Sequence, residues 1–128
     1  MVELIKVFVY GTLMSNRWNH CYLNGQKLLG DAKLKGFEMY NVASFPGIVR
    51  NGKGYVLGEL YEVDHDSLKT LDRLEGEGTM YKRTLEKVLI EGREEEAYVY
   101  VWLGSLQGRE KVEPKNMPWQ PARMGWAR

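Results

Sequence analysis

Ile5-Lys6-Val7-Phe8-Val9-Tyr10-Gly11-Thr12-Leu13 begins as a β-type run and ends in a turn of small and polar residues. The β-branched and aromatic side chains of Val7, Phe8 and Val9 predict a buried strand over Ile5–Tyr10. Behind it, Gly11 suits a tight turn and the close approach of a ligand to backbone. Consecutive amide N–H groups from Tyr10 to Leu13, with the Thr12 hydroxyl, can converge on a carboxylate or an oxyanion. Taken alone, the same four residues also read as an ordinary strand-ending turn.

Outward from this stretch the first half of the chain is a series of short β-type runs punctuated by Gly25, Gly30, Gly36, Asn51-Gly52 and Gly54. Strands are expected over Leu28–Lys33, Phe37–Val42 and Tyr55–Val63, with a short helix around Trp18–Leu23. Asn51-Gly52 reads as a turn because both residues accept positive φ. From Asp66 to Leu74 the period changes: Leu68, Leu71 and Leu74 recur at helical spacing, Asp64 or Asp66 can cap the start, and Gly76 suits the end. Two more strands follow, Tyr81–Ile90 and Glu96–Trp102, joined around Glu91-Gly92-Arg93. Glu113–Arg128 holds Pro114, Pro118 and Pro121 with Trp119 and Trp126 and shows no period. It is expected to be an irregular tail behind a domain spanning residues 1–112.

The 128 residues suit one domain with a substantial core. Lys+Arg 18 against Asp+Glu 17, a formal net charge of +1, gives no bulk reason to expect nucleic acid or an anionic membrane as a partner. Cys21 is the single cysteine, which excludes an internal disulfide and a cysteine-ligated structural zinc site. No apolar run reaches the roughly 18 residues of a membrane span, and Glu3 and Lys6 interrupt the place of a signal peptide's apolar segment. A cytoplasmic protein is the expectation.

Leu71-Asp72-Arg73-Leu74-Glu75-Gly76, followed by Tyr81-Lys82-Arg83, is the second informative stretch. With the strand-end Tyr-Gly-Thr-Leu it resembles the gamma-glutamylcyclotransferase family, in which a helix-end Leu-Asp-x-x-Glu leads into a Tyr-x-Arg strand. Asn19-His20, Phe45-Pro46-Gly47 and the strand Gly58-Glu59-Leu60-Tyr61-Glu62-Val63 add to the likeness, which runs in order from about Val7 to Trp102. The resemblance implies an α+β domain: a small, strongly curved mixed β-barrel flanked by one main and one short helix. Asn16 stands where relatives commonly have Gly, and Asn tolerates the left-handed conformation better than other non-glycine residues.

The resemblance also implies a reaction in which the α-amine of a γ-glutamyl amine or peptide attacks its own γ-amide, closing 5-oxoproline and expelling an amine. The nucleophile belongs to the substrate, so neither cofactor nor metal is called for, and holding the substrate folded supplies the orientation advantage. By match to the motif, Glu75 is the group that would take and return the proton. Its place in the last turn of a helix, at the negative end of the dipole, would push its pKa up. Glu77, two positions on, is a competing base, and a solvated Glu75 beside Arg73 or Lys69 is the plainer alternative. Tyr10, Gly11, Thr12 and Leu13 would hold the γ-glutamyl moiety. Tyr81 and Tyr100 match aromatic positions near the pocket and could position substrate or Glu75, or simply pack the barrel. Arg83 reads as a structural ion-pair partner.

His20 and Cys21 are adjacent and would point about 100° apart on a helix, which disfavours a Cys/His nucleophile. Cys21 is expected to pack in the core and His20 to make a structural hydrogen bond. With His20 and His65 the only imidazoles, no metal-ligand spacing is present. The alternative from another class is a non-catalytic module that binds a γ-glutamyl or other carboxylate ligand while the Trp/Pro tail meets a protein partner or forms a homodimer contact. A third reading keeps the enzyme but has it trim a γ-glutamyl protecting group.

Overall fold

The computed structural model describes residues 4–121. In chain order it contains β1 (Ile5–Val9), a 3-10 turn (His20–Leu23), β2 (Lys27–Asn41), β3 (Pro46–Val63), α1 (His65–Glu75), β4 (Tyr81–Ile90), β5 (Arg93–Trp102), β6 (Glu110–Val112) and a second 3-10 turn (Pro114–Asn116). The strands line up as β3-β1-β5-β4-β2-β6, and β2 also pairs with β3, so the row closes into a near-barrel ring with β6 added outside β2. β1 runs parallel to β5, and every other pairing is antiparallel. This is the mixed, curved sheet with one main helix that the family resemblance implies.

Closing the ring requires strands to approach closely where they cross. At Gly58 a Cβ would collide with the Val9 carbonyl oxygen and come within 2.9 Å of the Phe8 ring. A backbone atom cannot rotate aside, so Gly58→Ala should destabilise the fold by about 1–3 kcal/mol, read as a lower urea midpoint with an unchanged slope. Inside the ring Phe8, Phe37, Ile48 and Leu60 are fully buried.

The β2–β3 hairpin departs from the expected short strands. The expected strands Leu28–Lys33 and Phe37–Val42 merge into one that ends at Asn41, because Gly36 at φ 86 passes through the bend without ending the ladder. Asn51-Gly52 does turn, with Asn51 Oδ1 accepting from the Lys53 amide at 2.9 Å and Gly52 at φ 74. That turn is an excursion within β3, between the pairs Lys35↔Tyr55 and Phe37↔Arg50. The hairpin's tip is at Val42–Phe45, where the Val42 amide donates to the Phe45 carbonyl (3.1 Å). Residues 46–50 are therefore strand, although Pro46 and Gly47 do not read as one.

Helix α1 extends the expected Asp66–Leu74 by one residue at each end. Asp64 caps it through its carboxylate, which accepts from the Ser67 amide at 2.7 Å, and Gly76 ends it in the left-handed conformation at φ 64. The Glu77 amide reaches back to the Asp72 carbonyl (2.9 Å), closing the last turn. β4 spans the expected residues, and Glu91-Gly92, at φ 50 and 78, joins it tightly enough that pairing starts at Ile90↔Arg93.

Beyond β5 the chain returns to the barrel. β6 pairs with Met39–Asn41, and Trp119 is buried with its Nε1 donating to Asn41 Oδ1 (2.8 Å) and its carbonyl accepting from Arg17 Nε (3.0 Å). Trp126 lies outside the described residues.

Candidate active site

β1 delivers its C-terminal end to one mouth of the ring. There the Met14 amide donates to the Gly11 carbonyl (3.1 Å), so Gly11–Met14 form a turn with Thr12 and Leu13 at its centre. Among the described residues the Thr12 and Leu13 amides have no protein acceptor, as expected of the central positions of such a turn. Asn19 braces the loop from outside: its Nδ2 donates to Thr12 Oγ1 (2.9 Å) and its amide to the Thr12 carbonyl (3.0 Å). Because Thr12 Oγ1 accepts from Asn19, its own proton remains available to a ligand. His20 Nδ1 donates to the Leu13 carbonyl (3.0 Å), Glu59 Oε1 accepts from the Ser15 amide (2.8 Å), and Asn16 takes the left-handed conformation at φ 65.

A Cβ at Gly11 would lie 2.8 Å from Pro46 Cγ, so its missing side chain also makes room for Pro46. Pro46, held by Tyr81 whose hydroxyl donates to the Pro46 carbonyl (2.6 Å), forms one wall of the site.

Glu75 comes from the last turn of α1 and lines the same narrow cavity, of about 30 Å³, as the Tyr10–Leu13 loop, Tyr81 and Tyr100. Burial pushes its carboxyl up to about 7. Burial, rather than the helix dipole invoked from the sequence, is the cause. The surrounding phenols are oriented by fixed acceptors. Tyr10 donates to the Tyr100 carbonyl (2.6 Å) and Tyr100 to Asp72 Oδ1 (2.7 Å). All three phenols are raised above the ordinary tyrosine range, burial being the largest cause, with the Glu75 charge adding to each. They stay neutral at physiological pH. Tyr81 and Tyr100, with their single protons committed, can face a ligand only as acceptors.

The competing residues sit elsewhere. Glu77 is exposed, and its Oε2 accepts from the Arg83 amide (3.2 Å) on the outer side of β4. Arg83 stacks over Tyr98, with its guanidinium carbon 4.5 Å from the ring centroid, and pairs with Asp72 at 3.0 Å, although its N–H is not aimed at that oxygen. Cys21 is exposed and not a core residue, because the segment that carries it is a 3-10 turn lying on the surface. Among the described residues no group of His, Cys, Asp or Glu side chains could hold a metal ion. The sequence reading missed Phe45 and Pro46 as walls, Asn19 as the Thr12 partner and Asp72 as the Tyr100 anchor. Their presence in the stretches Asn19-His20, Phe45-Pro46-Gly47 and Leu71–Gly76 was the available signal.

Residues 7–121 match the family described as Gamma-glutamyl cyclotransferase, AIG2-like. The chain belongs to this family. A relative in Methanocaldococcus jannaschii is 39% identical over 99 residues, covering 75% of this chain and 82% of its own. The gamma-glutamylcyclotransferase family protein YtfP of Escherichia coli is 32% identical over 109 residues, covering 85% of this chain and 92% of its own. Among solved structures, a protein from Pyrococcus horikoshii superposes with a TM-score of 0.68 at 31% identity, over 85% of this chain and 86% of that one. A mouse AIG2-like protein gives 0.72 at 26% identity, over 77% of each. The family fold and the sheet described above therefore agree.

A second cavity, of about 100 Å³, adjoins the first and shares Thr12, Phe45, Glu75 and Tyr81 with it. Its remaining lining comes from the segment before the first 3-10 turn (Trp18, Asn19), the hairpin tip (Ser44), the end of α1 (Leu74) and the α1–β4 connection (Met80). In this family member Glu75 thus stands between a tight inner cavity and a wider outer one.

Proposed function

We propose that this protein is a cyclotransferase that converts a γ-glutamyl amine or peptide into 5-oxoproline and a free amine. The observation that supports the reading is a single carboxyl, Glu75, raised to about 7 and lining one cavity with the Tyr10–Leu13 loop. The glutamyl part occupies the inner cavity and the leaving amine the outer one. Thr12 and Leu13 amides and the Thr12 hydroxyl take an anionic oxygen of the substrate, a type of contact whose removal costs about 3–4 kcal/mol in other enzymes. Tyr81 and Tyr100 offer lone pairs to the α-ammonium.

The ionised Glu75 accepts a proton from that ammonium. The freed amine attacks the γ-carbonyl carbon, and a C–N bond forms within the substrate. As the original amide C–N bond breaks, Glu75 returns its proton to the departing nitrogen; the second proton of the attacking nitrogen then leaves through Glu75 to the released amine, which departs as an ammonium, so the ring nitrogen keeps one N–H and the carboxylate is regenerated. A carboxyl with a pKa near neutrality serves both transfers better than an ordinary one.

The test is a panel of γ-glutamyl amines and dipeptides assayed for 5-oxoproline, with no product from any member overturning the reading. The pH profile provides a second check. Since Glu75 must be ionised to act as base and titrates at about 7, kcat/KM should rise with pH through that value and level off above it. A profile flat between pH 5 and 8 would remove Glu75 from the proton transfer.

A further inference from the structure

We infer that the outer cavity selects an uncharged, apolar leaving amine and disfavours an amino acid as the leaving group; this rests on the cyclotransferase reading above. Trp18, Phe45, Leu74 and Met80 form its apolar lining, beside the uncharged polar side chains of Asn19 and Ser44 and the Thr12, Glu75 and Tyr81 that it shares with the inner cavity. Trp18 and Met80 are 53% and 41% exposed, which leaves large apolar faces for a bound group to cover. Glu75 is the single charged residue of this cavity, and among the described residues no Lys or Arg lines it.

That charge pattern discriminates. An amino acid leaving group carries a carboxylate, which would enter a cavity holding one acidic side chain and no cation, and like charges at short range are disfavoured. A second ammonium on the leaving amine would find only Glu75, which the reaction already engages. Arg17, the nearest cation in sequence to Trp18, is committed elsewhere, donating to the carbonyls of Ser15 (3.1 Å) and Trp119 (3.0 Å). An uncharged aryl or branched alkyl group meets none of these costs and gains contact with the apolar walls.

The wall is also held in place. Trp18 meets Trp119 edge to face, with ring centroids 6.0 Å apart and planes at 80°. Trp119 is buried and anchored through Asn41. Trp18 is therefore a specificity-determining residue positioned by the returning C-terminal segment.

Three substrates separate the contributions: γ-glutamyl-phenethylamine, γ-glutamyl-phenylalanine, which differs by one carboxylate, and γ-glutamyl-methylamine, which lacks the apolar group. The phenethylamide should have the highest kcat/KM, by at least about tenfold over each of the others, given what one charge or one apolar group contributes in such sites. Trp18→Ala should shrink the phenethylamide-to-methylamide ratio, and Met80→Arg should raise the relative rate on γ-glutamyl-phenylalanine. Turnover of γ-glutamyl-phenylalanine equal to or faster than that of the phenethylamide overturns the inference and leaves the cyclotransferase reading standing. Absence of 5-oxoproline from all three with folded protein overturns both.

Discussion

Replacing Glu75 by Gln should cut turnover at least about 100-fold, the lower range for loss of a general acid–base group, and should leave a protein more stable at pH 8 than the parent. The first effect follows because the amide keeps the shape of the side chain but cannot carry a proton. The second follows from the raised pKa. At pH below the ordinary carboxyl value of 4.5, Glu75 is neutral in both folded and unfolded chains and no charge has to be buried on folding. Between 4.5 and about 7 the unfolded chain has released the proton while the folded one retains it, so stability falls as pH rises. Above about 7 the full penalty applies, of the order of 3 kcal/mol. Gln carries no such penalty. Urea unfolding at pH 5 and pH 8 should therefore show a parent that weakens with pH and a variant that loses less. Equal pH dependence in both proteins would mean that Glu75 is solvated in solution. Unchanged turnover in the Gln variant, with Glu77→Gln inactive, would transfer the catalytic role to Glu77.

Trp119→Ala should cost about 3–5 kcal/mol of stability, the range for removing a large buried aromatic side chain. Trp119 is among the largest fully buried side chains, and its removal also leaves Asn41 Oδ1 without its indole donor. Trp119 is thus part of the core although the segment that carries it is irregular. The sequence pattern around it, with Pro118 and Pro121 nearby, excludes a regular strand or helix, but irregular backbone can still deliver a side chain into the core. Thermal unfolding of the variant measures the effect directly. A melting temperature close to the parent's would show that Trp119 does not contribute to the core in solution.

Helix α1 and strand β4 were legible in the sequence nearly to the residue, because their boundaries are set locally. Asp64 and Gly76 cap the helix through contacts a few residues away, and Glu91-Gly92 closes the β4–β5 hairpin within itself. The loop after β1 was legible as a turn for the same reason. β6 and the first part of β3 were not, since Glu110-Lys111 and Pro46-Gly47 have little intrinsic strand preference and the short runs that hold them become strands where β2 provides a ladder to pair with.

For the site, the sequence by itself determined which chemical groups are available: one helix-end carboxyl, a polar turn with spare amides, and a set of tyrosines, in the order that marks the family. Only the tertiary structure decided how they meet. Ring closure brings the end of β1, the β2–β3 tip and the end of α1 to one mouth, so that Glu75 and the Tyr10–Leu13 loop line one cavity although they are far apart in sequence. The same closure removes water from around Glu75, and that loss of solvation, which no local pattern encodes, is what raises its carboxyl to about 7.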